Sequence, residues 1–382
     1  MTAMPRPLRI AIVTGTRADF GLLSPVMRAV ADEPDLQLLT VVAGWHFVQD
    51  TWRDVAAGFA IDAKVRMQKP GCSGRAGDAE AAGLGVQRFA KAFDQLTPDV
   101  VMVLGDRIEA LAAAVAAAVG GVRLAHIHGG DRAEGVADES MRHAVSKLAH
   151  LHFPATRTSR ARLIRMGESP AVIHQSGSPA MDGLTDMKPM TDQELAAVGV
   201  TPGRRFIVLL HHPIGDVDAA ESARMKRILV ATKPGKGGDA FDRLVMLPNG
   251  DPGQSGIVSA IDGAGVHPLS NLQRTRFIGL LKRASVLVGN SSAGLIEASE
   301  VRSGGLPVVN IGSRQAGRER PGNVIDCGDD RQAVAGALDR AMTRPLRARG
   351  KRYGRGDTGR RIADVLAGLK LDDVPLRKQN AY

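Results

Sequence analysis

The chain is poor in the residues that staple, stack and span. It has two cysteines, Cys72 and Cys327, in 382 residues. Two thiols that far apart give neither a disulfide framework nor the paired spacing of a zinc site, and they fit a reduced cytoplasm. Aromatic residues make up 3% of the chain, so stacking platforms for single-stranded nucleic acid are poorly supplied. No apolar run reaches the roughly eighteen residues of a membrane-spanning helix. The start, Met1–Arg9, lacks an apolar h-region and does not read as a signal peptide. GxGxxG is absent, and with it the usual sign of a dinucleotide cofactor.

What is present is ordinary globular material, 44% hydrophobic and 24% charged, in a chain long enough for two cores. The net charge of +10 admits a phosphate-bearing partner or an Arg-rich bias spread over solvated faces. The basic residues are scattered, with one dense cluster at Arg344–Arg355, so the charge does not read as a nucleic-acid surface.

Short apolar runs alternate with helical patterns. Leu8–Thr14, Leu36–Ala43, Asp99–Leu104, Arg123–His128, Leu151–Pro154 and Ala171–Ser176 read as strands in the first half. Arg205–Leu210, Arg243–Leu247, Ser285–Val288, Pro307–Ile311 and Val324–Asp326 read as strands in the second. Continuous apolar strands imply burial on both faces, hence parallel sheets covered by helices. The alternation predicts a doubly wound α/β fold. The aperiodic stretch Gly183–Asp192 places the boundary between an N-terminal domain, 1–185, and a C-terminal domain, 186–352. A last helix and tail, 353–382, can pack back on the first domain. Lys233–Ala240 reads as an exposed Gly- and Lys-rich loop. Two such domains leave a cleft at the carboxyl ends of their sheets, where ligands bind.

Polar clusters follow the strands. Gly15-Thr16-Arg17 enters a helix, a common phosphate site because free N–H groups and the helix dipole favour anions; a tight turn with a solvated Arg is the alternative. Gly105-Asp106-Arg107 offers an acid/base carboxylate at a buried strand end, unless Asp106 merely caps the next helix. The richest stretch runs His126-Ile127-His128-Gly129-Gly130-Asp131 to Asp138-Glu139-Ser140-Met141-Arg142-His143. Alternation puts His126 and His128 on one face. Arg142, four residues after Asp138, can hold that carboxylate ionised. The glycine pair suggests close approach of a substrate. A metal is the rival for this stretch, but no third ligand has a standard spacing. His211-His212-Pro213 ends the first strand of the second domain, with one histidine facing the cleft. In Gly289-Asn290-Ser291-Ser292-Ala293-Gly294, Asn290 or Ser291 can cap the helix that follows. The serines and backbone N–H groups can hold a diphosphate, and Glu297, a turn further on, can accept a ribose diol. Arg314 offers another cation.

Taken together, GTRADFGLLSPVM from Gly15, AGWH ending at His46, VMVLGDRIEALAAA, AHIHGGDRAEGVADESMRH, GSPAMD, LPNGDPG, GNSSAGLIEA and VVNIGSRQAGR resemble the UDP-N-acetylglucosamine 2-epimerase family. The motifs run in order over about residues 8–328. His128 and the DESMRH segment look like the hydrolysing branch, close to members making precursors of sialic- or legionaminic-type sugars. The resemblance implies a GT-B-like arrangement of two Rossmann-like domains. It implies Asp106, Asp131, Asp138 and Glu139 as the acid/base and sugar-contacting group. Arg17 and His212 would contact the diphosphate, Ser291 and Ser292 the phosphates, and Glu297 the ribose. Arg314, Arg142, His128 and His46 would be further contact residues. The extra His211 and the long connection Ala298–Leu306 depart from the family's pattern.

The implied reaction converts UDP-N-acetylglucosamine and water to N-acetylmannosamine and UDP, eliminating UDP to leave a 2-acetamidoglucal and then adding water with inversion at C2. A UDP- or GDP-linked 2,4-diacetamido-trideoxy sugar, GDP-N-acetylglucosamine or a non-hydrolysing 2-epimerisation are the alternatives. Either Asp106 or Asp138 is the base. No redox cofactor is needed because the net oxidation state is unchanged, and no metal if Arg and His handle the phosphates. The expected partner is a nucleotide sugar, in a cytoplasmic homodimer or homotetramer. A GT-B glycosyltransferase and a non-catalytic nucleotide-sugar sensor are the rivals from other classes.

Overall fold

The computed structural model describes residues 6–69, 74–133, 138–234, 241–270, 272–344 and 346–381, apart from the Asp138 side chain. Cys72, Glu134 and loop residues 235–240 therefore lie outside the described residues. The chain divides into two compact units. The first comprises Met1–Asp131, Ala137–Asp182 and Tyr353–Tyr382; the second comprises Arg132–Val136 and Gly183–Arg352.

The first unit holds six strands: β1 (Leu8–Thr14), β2 (Leu36–Ala43), β3 (Ala63–Val65), β4 (Val100–Leu104), β5 (Arg123–Ile127) and β6 (Leu151–Phe153). They form a wholly parallel sheet in the order β3-β2-β1-β4-β5-β6. Ile10, Ile12, Val41, Val100 and Met102 are fully buried, as strands covered on both faces require. Each such side chain stabilises the fold by roughly 1.5–3 kcal/mol. One face carries the helices Gly74–Leu96 and Ile108–Val119, and its core is rich in alanine from Ala110 to Ala117. The other face carries Arg17–Ala31 and, from the far end of the chain, Thr358–Ala367. That returning helix begins where the Asp182 carboxylate accepts the N–H groups of Thr358 and Gly359 at 3.0 and 2.6 Å, a cap supplied from a distant part of the sequence.

Ala171–Ser176 is not the expected strand. Pro170 has no N–H to give a ladder, Ser169 caps a short 3-10 turn at Pro170–Val172, and pairing shrinks to one bridge between Ile173 and His152. The three-residue edge strand β3 was too short to show as a pattern.

The second unit holds β7 (Phe206–Leu210), β8 (Asp242–Val245), β9 (Val286–Gly289), β10 (Val308–Ile311) and β11 (Val324–Cys327). They too are parallel, in the order β11-β10-β9-β7-β8. Both units are thus Rossmann-like and doubly wound, but of different order. The strand order reverses between β1 and β4 in the first and between β7 and β9 in the second. Connections leave in opposite directions at such a point, opening a crevice outside the carboxyl ends of the strands. Among the described residues no helix is long and apolar enough to cross a membrane.

Candidate active site

At the crevice of the first unit the strands deliver charge. Asp106 follows β4. It does not cap the Ile108–Val119 helix, whose N-cap is Arg107 with no side-chain bond. Its Oδ2 instead pairs with Nη2 of Arg142, on the helix Asp138–Leu148. The Arg142 side chain is 4% exposed and that of Asp106 18%. Asp106 is therefore a carboxylate held in place by a buried cation with part of its surface open. Sequence spacing gave Arg142 to Asp138; the described pairing is with Asp106, and the Asp138 side chain lies outside the described residues. Glu139, in the first turn of the same helix, lies 3.4 Å from His143 Nε2 and is partly exposed.

The HIHGGD segment is a network, not an open loop. His126 is fully buried after alternating into the core. Its Nε2 donates to the Gly105 carbonyl at 2.8 Å, and its Nδ1 lies 3.1 Å from Ser146 Oγ. Burial pushes it down to about 3, against the pull of the Gly105 carbonyl, so it is a neutral strut. His128 has a left-handed backbone, φ 66°, uncommon for a residue other than glycine. Its Nδ1 donates to Asp131 Oδ2 at 2.9 Å and its Nε2 lies 2.9 Å from Ser178 Oγ. Ser159 donates to the other Asp131 oxygen at 2.6 Å. Asp131 thus spends both oxygens inside the protein.

The expectation that Gly129 and Gly130 admit a substrate is corrected. A Cβ on Gly129 would lie 3.0 Å from both His126 Nδ1 and Ser146 Oγ, and one on Gly130 would lie 2.3 Å from the Ser159 carbonyl oxygen. The glycines make room for the protein's own atoms.

Two further expected contact residues lie in the same unit. His46 is fully buried, with Nε2 3.0 Å from Thr14 Oγ1 and Nδ1 2.8 Å from Thr51 Oγ1. Burial lowers it to about 4. A neutral ring with both nitrogens engaged braces the loop after β2. Arg17 is half-exposed and pairs through Nε and Nη2 with Asp54, at 2.7 and 2.6 Å. The Gly15 turn is filled by Glu109, whose side chain would stand 2.8 Å from a Cβ there. Asp19 nearby is raised to about 6, mainly by burial, with the like charge of Glu109 adding to it and Arg107 opposing.

The second unit presents hydroxyls and amides. Ser291 and Ser292 follow β9 and are partly exposed, and Ser291 caps the 3-10 turn Ser292–Gly294. The helix expected to contain Glu297 is corrected to two 3-10 turns, Ser292–Gly294 and Glu297–Ser299. Carbonyls an α-helix would need are taken elsewhere. The Ala298 oxygen accepts from Leu306 N–H and Asn323 Nδ2, and the Ile296 oxygen from Ser299 Oγ. The long connection Ala298–Leu306 folds back on the turn it follows. Glu297 remains largely buried and meets Arg274 at 3.3 Å. Arg314 is directed toward the Asn290 carbonyl at 3.4 Å and Asp251 at 3.7 Å. His212 follows β7, partly exposed, its Nδ1 accepting the Asn249 N–H at 3.1 Å. The extra His211 is buried and lowered to about 3 by that burial.

Sequence reasoning missed Ser159, Asp54 and Arg274, each a partner from a distant segment with no motif of its own, and gave Ser178 of the GSPAMD motif no role. Among the described residues there is no group of three or more His, Cys, Asp or Glu that could hold a metal ion.

The sequence profile of the family described as UDP-N-acetylglucosamine 2-epimerase matches residues 28–367. A Legionella pneumophila protein named UDP-N,N'-diacetylbacillosamine 2-epimerase (hydrolyzing) is 36% identical, over 98% of this chain and 99% of its own. The chain belongs to the UDP-N-acetylglucosamine 2-epimerase family. Its likeness to the Legionella protein puts it in the hydrolysing branch. A Neisseria meningitidis UDP-N-acetylglucosamine 2-epimerase is 27% identical over 97% of this chain and 98% of its own. The crystal structure of UDP-GlcNAc 2-epimerase from Neisseria meningitidis bound to UDP-GlcNAc superposes with a TM-score of 0.78 at 18% identity, covering 94% of this chain and 99% of that one. At that identity the likeness speaks for the fold alone.

Proposed function

We propose that this epimerase-family chain hydrolyses a UDP-linked 2-acetamido sugar with inversion at C2. A base takes the C2 proton, and its electron pair forms the C1=C2 bond of a glycal. The C1–O bond breaks and UDP leaves with the electron pair of that bond. Water then adds, its hydroxyl to C1 and a proton to C2 from the opposite face. The observation that carries the acid/base role is Asp106, a partly open carboxylate fixed by the buried Arg142. A base within a fixed ion pair is oriented before substrate arrives. Asp138 and Glu139, at the start of the Arg142 helix, share the proton traffic. Asp131 acts through His128, whose strained backbone it holds. In the second unit Ser291, Ser292, His212 and Arg314 take the diphosphate, where donors stabilise charge as it develops, and Glu297 takes the ribose.

The 36% relative favours a 2,4-diacetamido-trideoxy sugar over N-acetylglucosamine as the preferred substrate. The test is a panel of UDP-GlcNAc, UDP-N,N'-diacetylbacillosamine and GDP-linked counterparts, without metal, NAD or acceptor. The expected outcome is free nucleotide and a free 2-epimerised sugar, fastest from UDP-N,N'-diacetylbacillosamine. Faster release from UDP-GlcNAc would return the assignment to N-acetylmannosamine formation. An intact epimerised nucleotide sugar would remove the hydrolytic step.

A further inference from the structure

The side chain of Asn290 does not cap the serine loop that follows it. Its Oδ1 accepts the His212 N–H at 2.7 Å, and its Nδ2 donates to the His212 carbonyl at 2.8 Å. One buried amide therefore holds both main-chain polar groups of a single residue, as a neighbouring strand would. The strands allow this because Gly289 ends β9 at φ 137°. A Cβ there would stand 1.8 Å from the Leu210 carbonyl oxygen, so only glycine lets the two strand ends come this close. Asn290 is itself anchored, its carbonyl accepting from Gln315 Nε2 at 2.9 Å and lying 3.4 Å from Arg314 Nη1.

The His212 ring is fixed independently. The Asn249 N–H points at Nδ1 from 3.1 Å. A nitrogen that accepts carries no proton, so the ring proton is on Nε2. We infer that Asn290 is a positioning residue which, together with the Asn249 N–H, presents His212 as an Nε2–H donor to the departing diphosphate. The inference rests on the reaction proposed above. A donor set before the reaction needs no reorganisation as charge builds on the leaving oxygen. Asparagine is the side chain that can do this: aspartate would keep the acceptor, lose the donor, and set a negative charge beside the phosphate loop.

A double-mutant cycle on UDP release distinguishes positioning from general support. Asn290→Ala should lower kcat about 10- to 100-fold, the scale expected when a reacting group is misplaced by about an ångström. In a His212→Ala background the same change should cost no more than about twofold, because the residue it acts through is gone. Equal losses in both backgrounds would overturn the inference. If Asn290→Ala folds poorly, Asn290→Asp takes its place in the cycle. A second readout needs no turnover: nitrogen-15 NMR of the His212 ring should show Nδ1 bare and Nε2 protonated in the wild type, and a shifted pattern in the variant. A proton on Nδ1, or ring signals identical in both proteins, would contradict the assignment. A wild type that releases no UDP from any sugar sinks the proposed reaction instead, and the ring signals still decide the tautomer.

Discussion

In the first unit the loops at the carboxyl edge of the sheet are held chiefly by ion pairs and buried imidazoles; in the second, amides and hydroxyls work beside the ion pairs Glu297–Arg274 and Arg314–Asp251. Asp106–Arg142, Arg17–Asp54 and His128–Asp131 stand against Asn290–His212 and the Ser291 cap. The difference matches two chemical tasks. Moving a proton at carbon calls for carboxylates whose charge and orientation are set beforehand. Holding a diphosphate calls for neutral donors that do not compete with it for cations. On the proposed reading, damage to the first unit's site strikes proton transfer at C2, and damage to Glu297 in the second strikes nucleotide affinity, while His212 and Asn290 act on the departure of the diphosphate.

The largest effect should come from Asp106→Asn. Turnover should fall by about 100- to 10,000-fold, the usual worth of a positioned base. UDP affinity should stay within about twofold, as expected for an independent site. Stopped turnover with equally lost UDP binding would break the division of labour. Next comes Glu297→Ala. UDP should bind about tenfold more weakly, equivalent to about 1.4 kcal/mol, with kcat at saturating substrate nearly unchanged. Titration calorimetry with UDP checks this, and an unaltered affinity would take Glu297 out of ribose recognition.

The smallest effect is on stability, and it separates the units by pH. His46, His126, His150, His152 and His174 are all lowered in the first unit, chiefly by burial. In the second, His211 is lowered. A histidine whose folded value is depressed binds its proton more readily in the unfolded chain. Its contribution is therefore complete above the ordinary value of 6.5 and is lost as pH falls through the window down to about 4 for His46 and about 3 for His126. Between pH 7.5 and 5.5 His46 and His126 should each cost on the order of 1 kcal/mol. Hydrogen exchange across that range should weaken first-unit protection more than second-unit protection. Equal loss in the two units would contradict this account of the buried rings.

Much of the scaffold was legible because strand burial writes itself as apolar runs: Leu8–Thr14 and Leu36–Ala43 read as they stand. The residues after the strands were legible as polar clusters in an apolar context, Asp106 and Ser291 among them. Partners were not. Arg142 meets Asp106 across 36 positions, and helix spacing could suggest only its neighbour Asp138. The Gly129–Gly130 pair carries the same letters whether it admits a ligand or a histidine ring. His46 reads as a polar residue in a motif, and only packing reveals a buried brace. The Glu297 helix failed where the Ala298 carbonyl is claimed by both Leu306 and Asn323, contacts that no local propensity encodes.

The central claim is that Asp106 chemistry takes a proton from C2 and solvent returns one to the other face. Turnover of UDP-N,N'-diacetylbacillosamine or UDP-GlcNAc in deuterium oxide, followed by proton NMR of the released sugar, tests it directly. The account predicts free UDP and a 2-epimerised free sugar bearing deuterium at C2. A released sugar that keeps both its original configuration and its C2 proton would contradict it.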